Sequence, residues 1–229
     1  MQWTDQERTV RVPAGAVTLE GDLSLPEGAQ GVVLFAHGSG SSRHSPRNRR
    51  VAGLLNEARL ATLLVDLLTA DEEIADRRTG HLRFDIGLLA ERLVEAADWL
   101  GRQPGTRDLA LGCFGASTGA AAALVAAAAR PHAVCAVVSR GGRPDLAGPS
   151  LPVVRAPTLL IVGGDDTPVL ELNRQAYERL HGEKRLLVIP GATHLFEEPG
   201  ALDQVARDAR EWFEQHLVRP AMGRAPHGR

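Results

Sequence analysis

The chain has 229 residues, a formal net charge of −2, 44% hydrophobic residues and 24% charged ones. That length fits one large domain or two small ones and carries enough apolar material for a core. Nothing in that near-neutral balance points to the clustered positive field that a nucleic acid or an anionic membrane surface requires.

Residues 8–26, RTVRVPAGAVTLEGDLSLP, alternate partially on both sides of Pro13-Ala14-Gly15 and predict an antiparallel hairpin. From there strands and helices take turns. Residues 31–38, GVVLFAHG, form a short continuous apolar run, the mark of a strand buried on both faces. Ser45-Pro46 supplies an N-cap and a first-turn proline for a helix carrying Val51, Leu54, Leu55 and Ala58. Residues 61–68, ATLLVDLL, predict the next buried strand. The clearest helical stripe follows, with Leu82, Ile86, Leu89, Leu93, Ala97 and Leu100 at spacings of three or four. Residues 108–116 predict a strand, and Ser117 to Arg130 a helix rich in alanine, the strongest helix former. Strands are read over residues 132–140 and 157–164. A helix begins at Thr167-Pro168, the last strand spans residues 184–191, and the last stripe runs from Leu202 to Leu217.

A hairpin followed by repeated strand–helix units predicts a mostly parallel, doubly wound α/β sheet. No internal repeat or linker is visible. One domain is expected over residues 1–218, with the Pro/Gly/Arg-rich stretch 219–229 a frayed end. The opening MQWTDQERTV is polar, so no signal peptide is read there. The longest apolar run, GAAAALVAAAA, falls short of the roughly 20 residues a bilayer span needs. The protein is therefore expected in the cytoplasm. Cys113 and Cys135 lie in apolar runs without metal-ligand spacing and are expected as buried thiols.

In a doubly wound sheet, ligands bind beyond the carboxyl ends of the strands. The residues at those ends are His37-Gly38-Ser39-Gly40-Ser41-Ser42, Gly115-Ala116-Ser117-Thr118-Gly119, Gly163-Gly164-Asp165-Asp166 and Gly191-Ala192-Thr193-His194. In chain order they offer backbone donors, a serine, an acid and a histidine. A serine in G-x-S-x-G between a strand and a helix, followed by an acid and then a histidine, is the α/β-hydrolase arrangement. Small residues flank the serine because the turn is tight. The helix start presents N–H groups and a positive dipole end to a developing oxyanion.

With FAHGSGSSRHSPRN, GASTG, LLIVGGDDTPV and IPGATHLFEEPG, nearly the whole chain resembles the dienelactone-hydrolase-like members of the α/β-hydrolase superfamily. The resemblance implies the α/β-hydrolase fold and acyl-transfer chemistry with no cofactor and no metal, and the short Gly/Pro-rich stretch 141–156 leaves no room for a cap domain. One departure is plain: dienelactone hydrolase proper carries a cysteine in its elbow, where this chain has Ser117, and Cys113 sits within the preceding strand.

Ser117 is accordingly read as the nucleophile, His194 as the base and Asp166 as the acid that orients it. Gly163, Asp166 and Val169 match the family pattern G-x-x-D-x-x-V. Asp165 is the rival, assigned instead to capping the helix. The oxyanion donors expected are the backbone N–H groups of Thr118 and Ser39, with His37 shaping the loop. Arg43 and Arg140, with Arg47 and Arg143 in similar loops, are candidates for an anionic group on the substrate, against the alternative of solvated surface arginines. The expected partner is a small ester or lactone; the oligomeric state is left open. A thioesterase or acyltransferase on the same triad, and a catalytically silent binding module on this fold, remain as alternatives. A nucleotide-binding reading of GSGSSR fits neither G-x-G-x-x-G nor the Walker pattern.

Overall fold

A computed structural model describes residues 7–218; the stretch 219–229, expected as a frayed end, lies outside the described residues. β1 (Arg8–Ala14) and β2 (Val17–Ser24) pair antiparallel across the turn at Gly15. β3 (Gly31–Ala36), β4 (Leu60–Val65), β5 (Ala110–Ala116), β6 (Val134–Arg140), β7 (Thr158–Gly163) and β8 (Lys184–Ile189) run parallel. The described strands form one 8-stranded sheet in the order β1-β2-β4-β3-β5-β6-β7-β8, with β2 antiparallel to β4. β3, β4 and β7 are buried along their whole length, which is why they read as unbroken apolar runs.

The sheet is covered on both faces. α1 (Pro46–Glu57) and α6 (Ala201–Leu217) lie on one side, where Val51, Leu55, Val205, Trp212 and Phe213 pack on Phe35 and Phe114. α3 (Ile86–Leu100) and α4 (Thr118–Ala129) lie on the other, with Leu89, Leu93 and the α4 alanines over Leu34, Val65 and Val137. α5 (Thr167–Arg179) joins this second layer through Ala176. α4 is buried nearly all round, so its alanines serve packing as well as propensity: small side chains let sheet and neighbouring helices approach closely.

One helix boundary and one additional helix differ from the sequence expectation. The stripe beginning at Leu82 becomes a 3₁₀ turn, Leu82–Phe84, and α3 itself begins at Ile86, because Asp85 caps it by accepting the Leu88 N–H at 3.0 Å. Ahead of it stands an additional helix, α2 (Ala70–Thr79). Asp76 is the one buried residue of α2, so the helix has no apolar stripe to read. A reciprocal capping box between Thr69 and Glu72 starts it, and Gly80 in a left-handed conformation at φ 64° ends it. Between β6 and β7 the chain makes only short 3₁₀ turns over Pro144–Val153, with no cap domain.

Candidate active site

Ser117 stands between β5 and α4 at φ 52° and ψ −122°, a conformation few side-chain-bearing residues adopt. The turn holds it by two backbone bonds: Ser117 N–H donates to the Arg140 carbonyl at 3.3 Å, and the Ser117 carbonyl accepts the Arg143 N–H at 3.0 Å. The flanking glycines are required sterically. A Cβ on Gly115 would press into Ala120, and one on Gly119 into the Ala36 carbonyl. Opposite the serine lies the loop after β3, where a Cβ on Gly38 would stand 3.0 Å from Ser117 Cβ.

Asp166 occupies the N-cap position of α5, yet its side chain makes no capping bond. It turns instead to His194, whose Nδ1 lies 2.6 Å from Asp166 Oδ2. That bond places the proton on Nδ1 and leaves Nε2 as the acceptor nitrogen. Asp165, assigned to capping from the sequence, does not cap α5: it is exposed, and its N–H donates to the Ala192 carbonyl at 3.0 Å. His194 reaches the serine's neighbourhood through Gly141, the residue after Arg140: a Cβ there would lie 3.6 Å from His194 Cε1. Asn173 of α5 steadies this turn, its Nδ2 donating to the Gly142 carbonyl at 2.9 Å.

As the first residue of α4, Thr118 has no intrahelical acceptor for its N–H. The Ser39 N–H, expected to face an oxyanion, donates to Thr118 Oγ1 at 2.9 Å. His37 is buried; its Nδ1 lies 2.9 Å from the Gly38 carbonyl and its Nε2 accepts the Leu67 N–H at 3.0 Å. Burial lowers its pKa, and the neutral tautomer matches both bonds. A cavity of about 260 Å³ opens on the far side of this loop, between Ser39, Ser41, Leu68, Arg77 and Leu89.

The candidate arginines separate sharply. Arg43, expected as an anion contact, is instead taken up by acids: its guanidinium meets Asp66, Glu20 at 2.8 Å and Asp22 at 3.5 Å, and its backbone N–H donates to Asp66 Oδ1 at 2.7 Å. It ties the Gly38–Ser45 loop to β2 and β4. Arg143 is paired with Asp145 at 2.8 Å. Arg140 is 7% exposed and meets no carboxylate among the described residues. Sequence reading gave no hint of the Asn48 contact to Arg140, at 3.5 Å; the Ser45-Pro46 cap, which fixes the first turn of α1, was the signal available.

Cys113 is buried, and burial pushes its thiol up to about 12, so it carries no thiolate near neutral pH. Among the described residues no group of three His, Cys, Asp or Glu side chains gathers in a way that could hold a metal ion. None of the described helices is long and apolar enough to cross a membrane.

No family model matches the chain. It is 59% identical over 215 residues to a Mycobacterium tuberculosis protein named "Putative phosphoribosyl transferase", a match that covers 94% of this chain and 48% of that one. The chain thus spans about half the length of the curated relatives it matches. A dienelactone hydrolase from Anabaena variabilis is 65% identical, with a TM-score of 0.91 over 93% of this chain and 98% of the other. A Xanthomonas campestris α/β serine hydrolase described as lacking a lid shares the fold at 21% identity, with a TM-score of 0.73 over 95% of this chain and 99% of that one.

Proposed function

The chain belongs to the dienelactone hydrolase family of α/β hydrolases, and from that premise we propose that it is a serine hydrolase that cleaves small carboxylic esters or lactones through an acyl-enzyme on Ser117. The observation that carries this reading is the 2.6 Å bond from Asp166 to His194 Nδ1, made by an aspartate that leaves its own helix uncapped to make it.

In the proposed cycle His194 Nε2 accepts the Ser117 hydroxyl proton as Oγ attacks the acyl carbonyl carbon. Asp166 balances the imidazolium. The tetrahedral oxyanion lies against the Thr118 N–H and, once the Thr118 hydroxyl turns aside by one bond rotation, against the Ser39 N–H as well. His194 then returns its proton to the departing alkoxide. A water molecule, deprotonated by His194, attacks the acyl-serine, and the proton goes back to Ser117. With a lactone, the departing alkoxide stays tethered to the acyl group. The phosphoribosyl transferase name belongs to proteins of about twice this length, and the hydrolase reading is confined to the half that this chain represents.

The test is covalent labelling by a fluorophosphonate, read by intact mass on wild type and Ser117→Ala. A single adduct on wild type, with none on the variant, is expected. Equal labelling of both would overturn the assignment of Ser117, and no labelling of either would leave a binding module on a hydrolase fold. An ester and thioester panel on the unlabelled protein then separates esterase from thioesterase chemistry.

A further inference from the structure

Among the described residues, deeply placed arginines mostly meet acids. Arg92, with a side chain 7% exposed, donates to both Glu72 oxygens, and Arg43, with a side chain 15% exposed, meets three carboxylates. Arg140 is the exception. Its Nε and Nη1 are buried without a partner, and its Nη2 has only the amide oxygen of Asn48 at 3.5 Å. The charged neighbour that bears on it is a second cation, Arg47; burial first and that repulsion second bring Arg140 down to about 10, still positive at neutral pH. Arg47 repeats the pattern: its Nε is buried and unpartnered, and its Nη1 reaches Glu197 at 3.4 Å across an exposed contact. A buried cation without a counter-charge is costly, and among the described residues no carboxylate repays it at Arg140.

The place matters as much as the charge. Arg140 ends β6 alongside Ala116 of β5, its carbonyl accepts the Ser117 N–H, and Gly141 after it abuts His194. The guanidinium leaves that backbone toward the first turn of α1, where Arg47 and Asn48 stand. Arg47 and Glu197 pair nearer the surface, and Glu197 follows His194 by three residues. An anion entering there replaces Glu197 on Arg47 and meets Arg140 behind it.

We propose that Arg140 and Arg47 form an oxyanion subsite beside Ser117, and that the group it takes is a doubly charged phosphate or phosphonate carried by the substrate. The proposal rests on the hydrolase reading. Both guanidinium groups hold unpartnered nitrogens, and their two charges match a dianion, whereas a single carboxylate satisfies one guanidinium and leaves the other charge uncompensated.

Two measurements test it. Inorganic phosphate and acetate are titrated calorimetrically into Ser117→Ala protein, alone and with Arg140→Gln or Arg47→Gln added. Phosphate should bind more tightly than acetate, and either glutamine should weaken it by about tenfold or more, as expected for losing charge-assisted bonds. In protein with Ser117 intact, kcat/KM for the 4-nitrophenyl ester of 3-phosphonopropanoic acid, divided by that for 4-nitrophenyl butyrate, should fall by about tenfold or more in both glutamine variants. Arg47 is partly exposed, so its variant reports even if Arg140→Gln folds poorly. No phosphate binding in the parent, or an unchanged ratio in Arg47→Gln, overturns the subsite. Acetate binding as tightly as phosphate overturns the dianion. Phosphate bound normally by a protein that cleaves neither ester overturns the hydrolase reading and leaves the subsite standing.

Discussion

At φ 52° Ser117 holds a backbone strain of order 1–3 kcal/mol, which the surrounding bonds to Arg140 and Arg143 must sustain. Asp166 shows a related sacrifice. A helix N-cap aspartate ordinarily satisfies its own helix. Here the carboxylate bonds to His194 instead, while the exposed Asp165 next to it contributes only its backbone N–H. Asp166→Asn should therefore lower kcat on short esters by roughly 10³–10⁴-fold, because an amide fixes neither the tautomer nor the charge of His194. Asp165→Asn should stay within a few-fold of wild type. Since Asp166 makes no capping bond, thermal melting of Asp166→Asn should barely move, which separates loss of catalysis from loss of fold. The reverse ranking in kcat would transfer the acid role to Asp165.

At the scale of elements, α2 shows how a helix without an apolar stripe is kept in place. Glu72 accepts the Thr69 N–H at 2.8 Å and takes both ends of the Arg92 guanidinium, at 2.6 and 2.5 Å; Arg92 also donates to the Leu67 carbonyl at 2.6 Å. The Glu72–Arg92 pair thus joins the start of α2, the segment after β4 and the middle of α3. The Arg92 hydrogen bond is the main cause that brings Glu72 from 4.5 to about 2. A carboxyl whose folded value is depressed stabilises the fold above its unfolded value, and that stability drains as pH falls through the folded one. The contribution should be whole above about pH 4.5 and gone near pH 2. Glu72→Gln should lower Tm at pH 7 by about 3–6 °C, and the gap to wild type should close as the buffer approaches pH 2. A gap that persists at pH 2 would mean that Glu72 acts through packing instead of charge. Of α2, the sequence offered Thr-x-x-Glu at 69–72, acids in the first turn, arginines in the last and Gly80 beyond. These are capping signals, and a search for apolar periodicity passes over them.

For the whole molecule, the decisive feature is what the sheet leaves uncovered. The helices shield its faces, and the carboxyl ends of β3, β5, β6, β7 and β8 bring the Gly38 loop, Ser117, Gly141, Asp166 and His194 together. Among the described residues no cap domain stands over them; between β6 and β7 the chain makes only 3₁₀ turns. Without a cap to supply apolar wall, each added methylene should fail to gain the ~0.8 kcal/mol that burial would give. Across 4-nitrophenyl acetate, butyrate, octanoate and palmitate, kcat/KM should peak at the short esters. A steady rise toward palmitate would overturn the uncapped-site reading.

By itself the sequence determined the sheet, its covering helices and the order of the serine, acid and histidine. Those are written locally: unbroken apolar runs in β3, β4 and β7, a repeat of three and four in α3, and glycines at 115 and 119 where no Cβ fits. Only the tertiary structure decided the fate of the polar side chains. Arg43 and Arg140 look alike in sequence, each just beyond or at the end of an apolar run. Arg43 lands among Asp22, Asp66 and Glu20, contributed by β2 and the end of β4, and its charge is spent there. Arg140 lands against Asn48 and Arg47 of α1, and its charge is not. The Ser39 N–H likewise meets a hydroxyl 79 residues away in the chain. Periodicity is a property of neighbours along the chain, whereas a charge or a donor is satisfied by whatever the fold brings within about 3 Å. That is set by elements tens of residues apart, and no local pattern records it.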